Sequence, residues 1–344
     1  MNENLDLFEK VINKTIPKVD YVDIRGGSGN NTSIIMKDGE VQEINTGNSL
    51  GIRIRVLNNG AWGFAYTNDL SKLDEIAQTS IKISNSLKGD ESLSKADIIQ
   101  DKVSTDVKIP FSDVSIEEKK EIMSEASKAA SLKEVTSTTV SYSDSQSQEV
   151  ILSSEGTSIE MNTNRVAMFL NAAASDGTMM QIGHNSIGGV KGFEAISDED
   201  IESFGRKIGE KAVRLLKAES APSGRFPIIT DPNLTGVFVH EALGHAVEGD
   251  LILQNDSILK DKLGSKIGSD IVNIYDDASL KDGFGYYPYD VEGVKTKPNH
   301  LVKDGELISL LNSRETASKL NMESSGNARS IIADKPIVRM SNTY

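Results

Sequence analysis

Residues 51–56 alternate strictly: Ile52, Ile54 and Val56 are apolar, while Arg53 and Arg55 are charged. A period of two describes a strand with one buried face, a pattern that a helix cannot satisfy. Turn signals flank it. Lys37-Asp38-Gly39-Glu40 reads as a hairpin turn, and Asn58-Asn59-Gly60 as the next. Short strands are therefore expected over 21–24, 33–37, 40–45 and 61–66, beside the half-buried strand at 51–56. A second strand-like stretch spans 134–174, with turns at Ser154-Glu155-Gly156 and Ser175-Asp176-Gly177. Helical periodicity marks 5–16, then a helix from Ser71 to about residue 87, one opened by the Ser115/Glu118 capping box to about 132, and a long one over 196–218.

Ala221-Pro222-Ser223-Gly224 is the best linker signal in the chain. After it come an expected strand at 226–230, a helix, and then loops and strands. The expected fold class is α+β. Residues 1–220 read as a mixed region with long helices packed on β-sheet, and 221–344 as a β-rich metallopeptidase-type domain carrying a His-Glu-His helix.

That helix holds the chemistry. The chain has only four histidines, and His240 and His245 lie in the run V-H-E-A-L-G-H-A-V-E-G-D, with Glu241 next to the first. Two imidazoles and a carboxylate at the start of a helix are the constellation of a zinc hydrolase, in which the histidines bind metal and the Glu polarises a bound water. The spacing is i, i+5 instead of i, i+4. On a regular helix five steps separate the side chains by about 140°, too far apart to share an ion. The spacing therefore either negates the metal reading or predicts a π-bulge near 243–245, with Gly244 as its place. Two unrelated histidines on a partly buried helix are the alternative.

Glu248 can be read as a carboxylate orienting an imidazole, as a third ligand, or as a solvated helix end; Asp250 can be read as an orienting acid or a solvated one. His184, in a glycine-rich stretch, is a distant ligand, a substrate contact or a solvated loop residue, and His300 reads as a turn residue. Gly26-Gly27 and Gly188-Gly189 lack the pattern of a phosphate loop.

Composition excludes several classes. Lys and Arg total 37 against 51 Asp and Glu, a net charge of −14, which disfavours direct binding of nucleic acid. With no cysteine, the chain forms no disulfide and offers no thiolate ligand. The acidic first ten residues do not read as a signal peptide and no stretch is apolar enough to span a membrane, so a cytoplasmic protein is expected. The last residues, Arg339 to Tyr344, read as mid-strand, and a chain lacking its C-terminal part is expected.

The block H-E-A-L-G-H-A-V-E-G-D, together with Asp276-Asp277, Ser325-Gly326-Asn327-Ala328-Arg329, Pro336 and Arg339-Met340-Ser341-Asn342-Thr343, resembles the TldD branch of the TldD/PmbA family. Gly51-Ile52-Arg53, Gly60 to Tyr66 and Gly188-Gly189 extend the resemblance nearly end to end. It implies a zinc peptidase acting on unfolded or extended peptides or trimming leader peptides. Zn2+ would be held by His240 and His245, with Glu241 as the base. It also implies a homodimer, or a heterodimer with a related subunit that lacks the motif, and a third ligand that is a cysteine past the R-M-x-N-T strand. Two rival readings are a non-catalytic peptide-binding subunit and a regulator of a DNA enzyme.

Overall fold

The computed structural model describes residues 4–344. Its chain order begins with α1 (Leu5–Thr15), β1 (Tyr21–Lys37), β2 (Glu40–Asn58), β3 (Ala61–Thr67) and α2 (Leu73–Ser86). It continues with β4 (Gln100–Ser104), α3 (Ile116–Ala130), β5 (Val135–Ser153), β6 (Ser158–Ser175), β7 (Met180–Gly189), α4 (Glu194–Ser197) and α5 (Ile201–Leu216). The strands form one seven-stranded sheet in the order β3-β2-β1-β5-β6-β4, with β7 also on β6. Every pairing is antiparallel except β4 with β6.

The hairpin turns fall where the sequence places them, but the strands are far longer than expected. The reads at 21–24 and 33–37 are two ends of the 17-residue β1, and those at 40–45 and 51–56 are two ends of the 19-residue β2. The polar, glycine-containing middle of β1 reads as a loop. It stays extended because β2 and β5 flank it and supply ladder partners along both edges. Burial follows: the first seven residues of β1 are buried, the middle is half-buried with Asn30 and Asn31 exposed, and Ile34 and Met36 are buried again.

The sheet thus carries two cores. At one end α1 and α2 cover Val22, Ile24, Ile52, Ile54 and Val56 with Phe8, Leu73 and Ile76. At the other, α3 and α5 cover Ile34, Val140, Val166 and Met168 with Met123, Phe204 and Ile208. The expected capping box is present at the start of α3. The long helix read over 196–218 is broken into α4 and α5 between Ser197 and Ile201, where Asp200 caps α5.

The opposite face at the first end is the main surprise. Arg53 and Arg55, the polar side of the alternating strand, are buried. Arg55 pairs with Asp23 at 2.7 Å and Glu292 at 3.0 Å, and Arg53 pairs with Asp23 at 3.4 Å. Later chain is laid over them: Arg53 also donates to the carbonyls of Val291 and Asp334, and Arg25 to Ser330. This strand is buried on both faces, one apolar and one ionic. Burial drags Arg53 down to about 10 despite Asp23 beside it.

The rest of the chain comprises α6 (Pro232–Val239), α7 (Gly249–Gln254), β8 (Ile274–Asp277), β9 (Pro298–Lys303), β10 (Glu306–Leu307), α8 (Arg314–Leu320), β11 (Ala328–Arg329) and β12 (Ile337–Val338). A β-rich region was expected here, yet none of these strands exceeds six residues. Side chains such as Asp276, Asp290 and Asn312 bond the backbone instead of leaving it to ladders. Leu243, Val247, Leu301, Leu307, Leu311 and Val338 form the apolar cluster of this region. Residues 221–225 are exposed, and the expected strand at 226–230 is not one: the run pairs with no strand. No helix among the described residues is long and apolar enough to cross a membrane.

Candidate metal centre

Asp231 starts the local structure. Its carboxylate accepts from the Leu234 amide at 2.8 Å, and Pro232 occupies the first turn of α6. The helix then changes pitch. His240–Gly244 is a π-helical turn, and His245–Val247 a 3-10 turn. The π-turn overlaps the stretch where the i, i+5 spacing called for one, and its widened pitch swings the sixth residue round to the first. The imidazoles of His240 and His245 lie 4.8 Å apart between ring centroids, nearly perpendicular at 86°. His240 and Glu241 are exposed, and His245 is half-buried.

Glu248 is fully buried behind His245. One of its oxygens faces His245 Nδ1 at 3.2 Å, and the other accepts from Arg339 Nη1 at 2.9 Å. Burial pushes the Glu248 carboxyl above its ordinary range, and Arg339 and His245 pull it back. With Nδ1 turned to this carboxylate, Nε2 is the nitrogen left to a metal. Of the readings open for Glu248, the orienting carboxylate fits: its oxygens are already engaged by His245 and Arg339. Asp250 accepts from the Val338 amide at 3.0 Å and so ties β12 to α7.

The R-M-S-N-T segment closes the back of the turn. Met340 packs against Gly244, where a Cβ would overlap Met340 Sδ. Ser341 donates its amide and hydroxyl to the buried Asp276 at 2.8 and 2.7 Å, and Thr343 donates its hydroxyl at 3.0 Å. Asn327 Nδ2 adds a fourth donor at 2.8 Å. Asp276 is therefore a carboxylate with four hydrogen bonds that joins three stretches distant in sequence. Sequence reasoning had the segments but no role for Asp276 or Arg339; a buried acid is visible only once its donors are.

The other two histidines lie elsewhere. His184 is on the exposed strand β7, opposite Asn171, with its carbonyl facing Lys211. His300 belongs to β9, not to a turn, and stacks on Tyr275 at 4.0 Å. Among the described residues no group of three or more His, Cys, Asp or Glu side chains gathers to hold a metal. The two converging imidazoles, one braced by a carboxylate, suit zinc as two of its ligands. Beside them the surface is apolar and uncovered: Leu234, Val237 and Phe238 of α6 and the preceding Ile228 and Ile229 are all exposed.

Three family descriptions match the chain: PmbA/TldA metallopeptidase domain 1 over residues 22–84, the central domain over 109–216 and the C-terminal domain over 223–344. A protein named metalloprotease from Methanothermobacter thermautotrophicus is 55% identical across 100% of this chain and 76% of its own length. A "Zinc metalloprotease TldD homolog" of Saccharolobus solfataricus is 28% identical over 86% of this chain and 65% of its own. Among solved structures, TldE from Thermococcus kodakarensis superposes with a TM-score of 0.73 at 19% identity, covering 97% of this chain and 76% of that one. A Thermotoga maritima protein, described as a proposed modulator of a DNA gyrase, gives 0.80 at 23% identity, over 96% and 76%. At these identities the two structures establish the shared fold alone.

Proposed function

This chain belongs to the PmbA/TldD metallopeptidase family, and on that premise we propose that it hydrolyses peptide bonds in unfolded or extended peptides, with His240 and His245 as zinc ligands and Glu241 as general base. The observation that carries the reading is the π-turn, which sets two imidazoles 4.8 Å apart with one of them backed by buried Glu248. Zinc, when bound, supplies a Lewis acid that polarises the scissile carbonyl and acidifies water.

The chain's own residues do the rest. Glu248 fixes the ring plane and tautomer of His245, and Arg339 holds Glu248 in place from its other oxygen. Glu241 follows His240 directly on the π-turn and is exposed. The role assigned to it is to take the proton of the attacking water and return it to the leaving amine. An extended peptide suits the exposed run at 226–230, whose apolar residues and unpaired backbone could receive it as an added strand. The apolar surface of α6 supports the further reading that a second subunit, identical or related, covers this side and shields the site from folded proteins.

The test is Glu241→Gln. It is expected to lower cleavage of an unstructured peptide by a factor of ~10² to 10⁴ or more while zinc content is kept. His240→Ala and His245→Ala are expected to lose both. Wild-type turnover in Glu241→Gln would overturn the hydrolase mechanism and leave peptide binding as the better reading.

A further inference from the structure

Away from the histidines, a cleft of about 210 Å³ lies between the middle of β5 and β6 and the chain at 286–291. Three guanidinium groups line it, those of Arg25, Arg165 and Arg329, against a single carboxylate, Glu149. The carboxylate is taken: Arg25 grips one Glu149 oxygen through Nε at 3.0 Å and Nη2 at 2.7 Å. Three cations less one anion leave an excess of two positive charges here, in a chain whose net charge is −14.

Arg165 and Arg329 carry that excess. Arg165 donates one Nη1 hydrogen bond to the Phe284 carbonyl at 2.6 Å and has no carboxylate partner among the described residues. The Arg329 guanidinium carbon sits over the Tyr287 ring, 4.0 Å from its centroid. That contact leaves its N–H groups without a protein acceptor among the described residues. Burial, and then Arg329 itself, lower the Arg165 pKa from its ordinary value, so the two cations repel. Hydroxyls of Thr163 and Tyr286 stand in the same lining.

Two half-buried cations lining one cleft are unfavourable unless something compensates them. A guanidinium edge matches the two oxygens of a carboxylate or phosphate, and hydroxyls complete such a shell. We propose that this cleft is a binding site for the oxyanion group, carboxylate or phosphate, of a small ligand, clamped between Arg165 and Arg329. The site stands apart from the metal centre, since neither His240 nor His245 lines it.

Calorimetric titration at constant ionic strength tests this, with inorganic phosphate and acetate as separate probes. The wild-type protein is expected to bind at least one of them saturably, one per chain, and the better probe identifies the ligand's group. Arg165→Gln and Arg329→Gln should each weaken binding about tenfold or more, the worth of a charge-assisted hydrogen bond. Arg206→Gln, on the exposed face of α5, should leave it unchanged. Absence of saturable binding by either probe, or undiminished binding in both cleft variants, overturns the proposal. Should a variant fail to fold, phenylglyoxal labelling of the wild-type protein gives the answer. Whichever probe the site prefers should slow modification of Arg165 and Arg329, and equal rates with and without it refute the site.

Discussion

Replacing Gly244 by alanine asks what holds the π-turn. Gly244 has φ −55° and ψ −50°, an ordinary helical backbone. Propensity alone would therefore favour alanine by about 1 kcal/mol. The obstacle is Met340: a Cβ at 244 would overlap its sulfur and lie 3.0 Å from its Cε and 3.3 Å from its Cγ. Met340 cannot retreat with its backbone. The Arg339 amide is bonded to the Asn327 carbonyl at 3.0 Å, and the Ser341 amide to Asp276 at 2.8 Å. Only a rotamer change or a shift of the turn relieves the overlap, at about 1–3 kcal/mol. The net loss expected in urea unfolding is then about 0–2 kcal/mol, the penalty less the propensity gain. The decisive quantity is coupling. Met340→Ala removes the obstacle, so the double variant should be more stable than the two single effects predict by about 1–3 kcal/mol. Zinc affinity, read by chelator competition, should fall in Gly244→Ala and recover in the double variant. If Gly244→Ala is stabilised by its full propensity gain and its effect adds simply to that of Met340→Ala, then Met340 does not brace the turn.

Two further outcomes are expected. Glu248→Gln keeps the side chain's shape but removes the charge between His245 and Arg339, and zinc affinity should drop about 10–100-fold; unchanged affinity by chelator competition would mean that Glu248 does not orient the ligand. If a second subunit covers α6, the protein should sediment as a dimer at micromolar concentration and Phe238→Asp should shift it towards monomer, whereas a wild-type monomer would count against that reading.

Local chemistry was legible in the sequence and long-range chemistry was not. The turns at Asp38-Gly39 and Asn59-Gly60 are present with positive φ at all four residues, and the Ser115 capping box needed only four residues to be seen. The i, i+5 histidines called for a change of helix pitch only if both were to share one ion, and a π-turn lies at His240–Gly244. Strand length was lost because the polar middle of β1 owes its extension to two flanking strands, one of them, β5, more than a hundred residues away. Arg53 and Arg55 read as a solvent face because nothing nearby in sequence tells that Glu292 and the chain around 330–334 will cover them. The run at 226–230 has strand composition without a neighbouring edge, and composition cannot supply one. Likewise, Glu248 could be placed near the histidines by spacing, but its contact with Arg339, 91 residues away, could not.

The brace on the metal turn has a consequence in time. Glu248 waits for Arg339, 91 residues further along, and Gly244 waits for Met340. At about 5–20 residues per second, roughly 5 to 20 seconds of synthesis separate the histidines from the residues that set them. The seven-stranded sheet, whose strands are all made before residue 190, has its partners long before then. Here the strands of the sheet are all made before the residues that hold the π-turn in place.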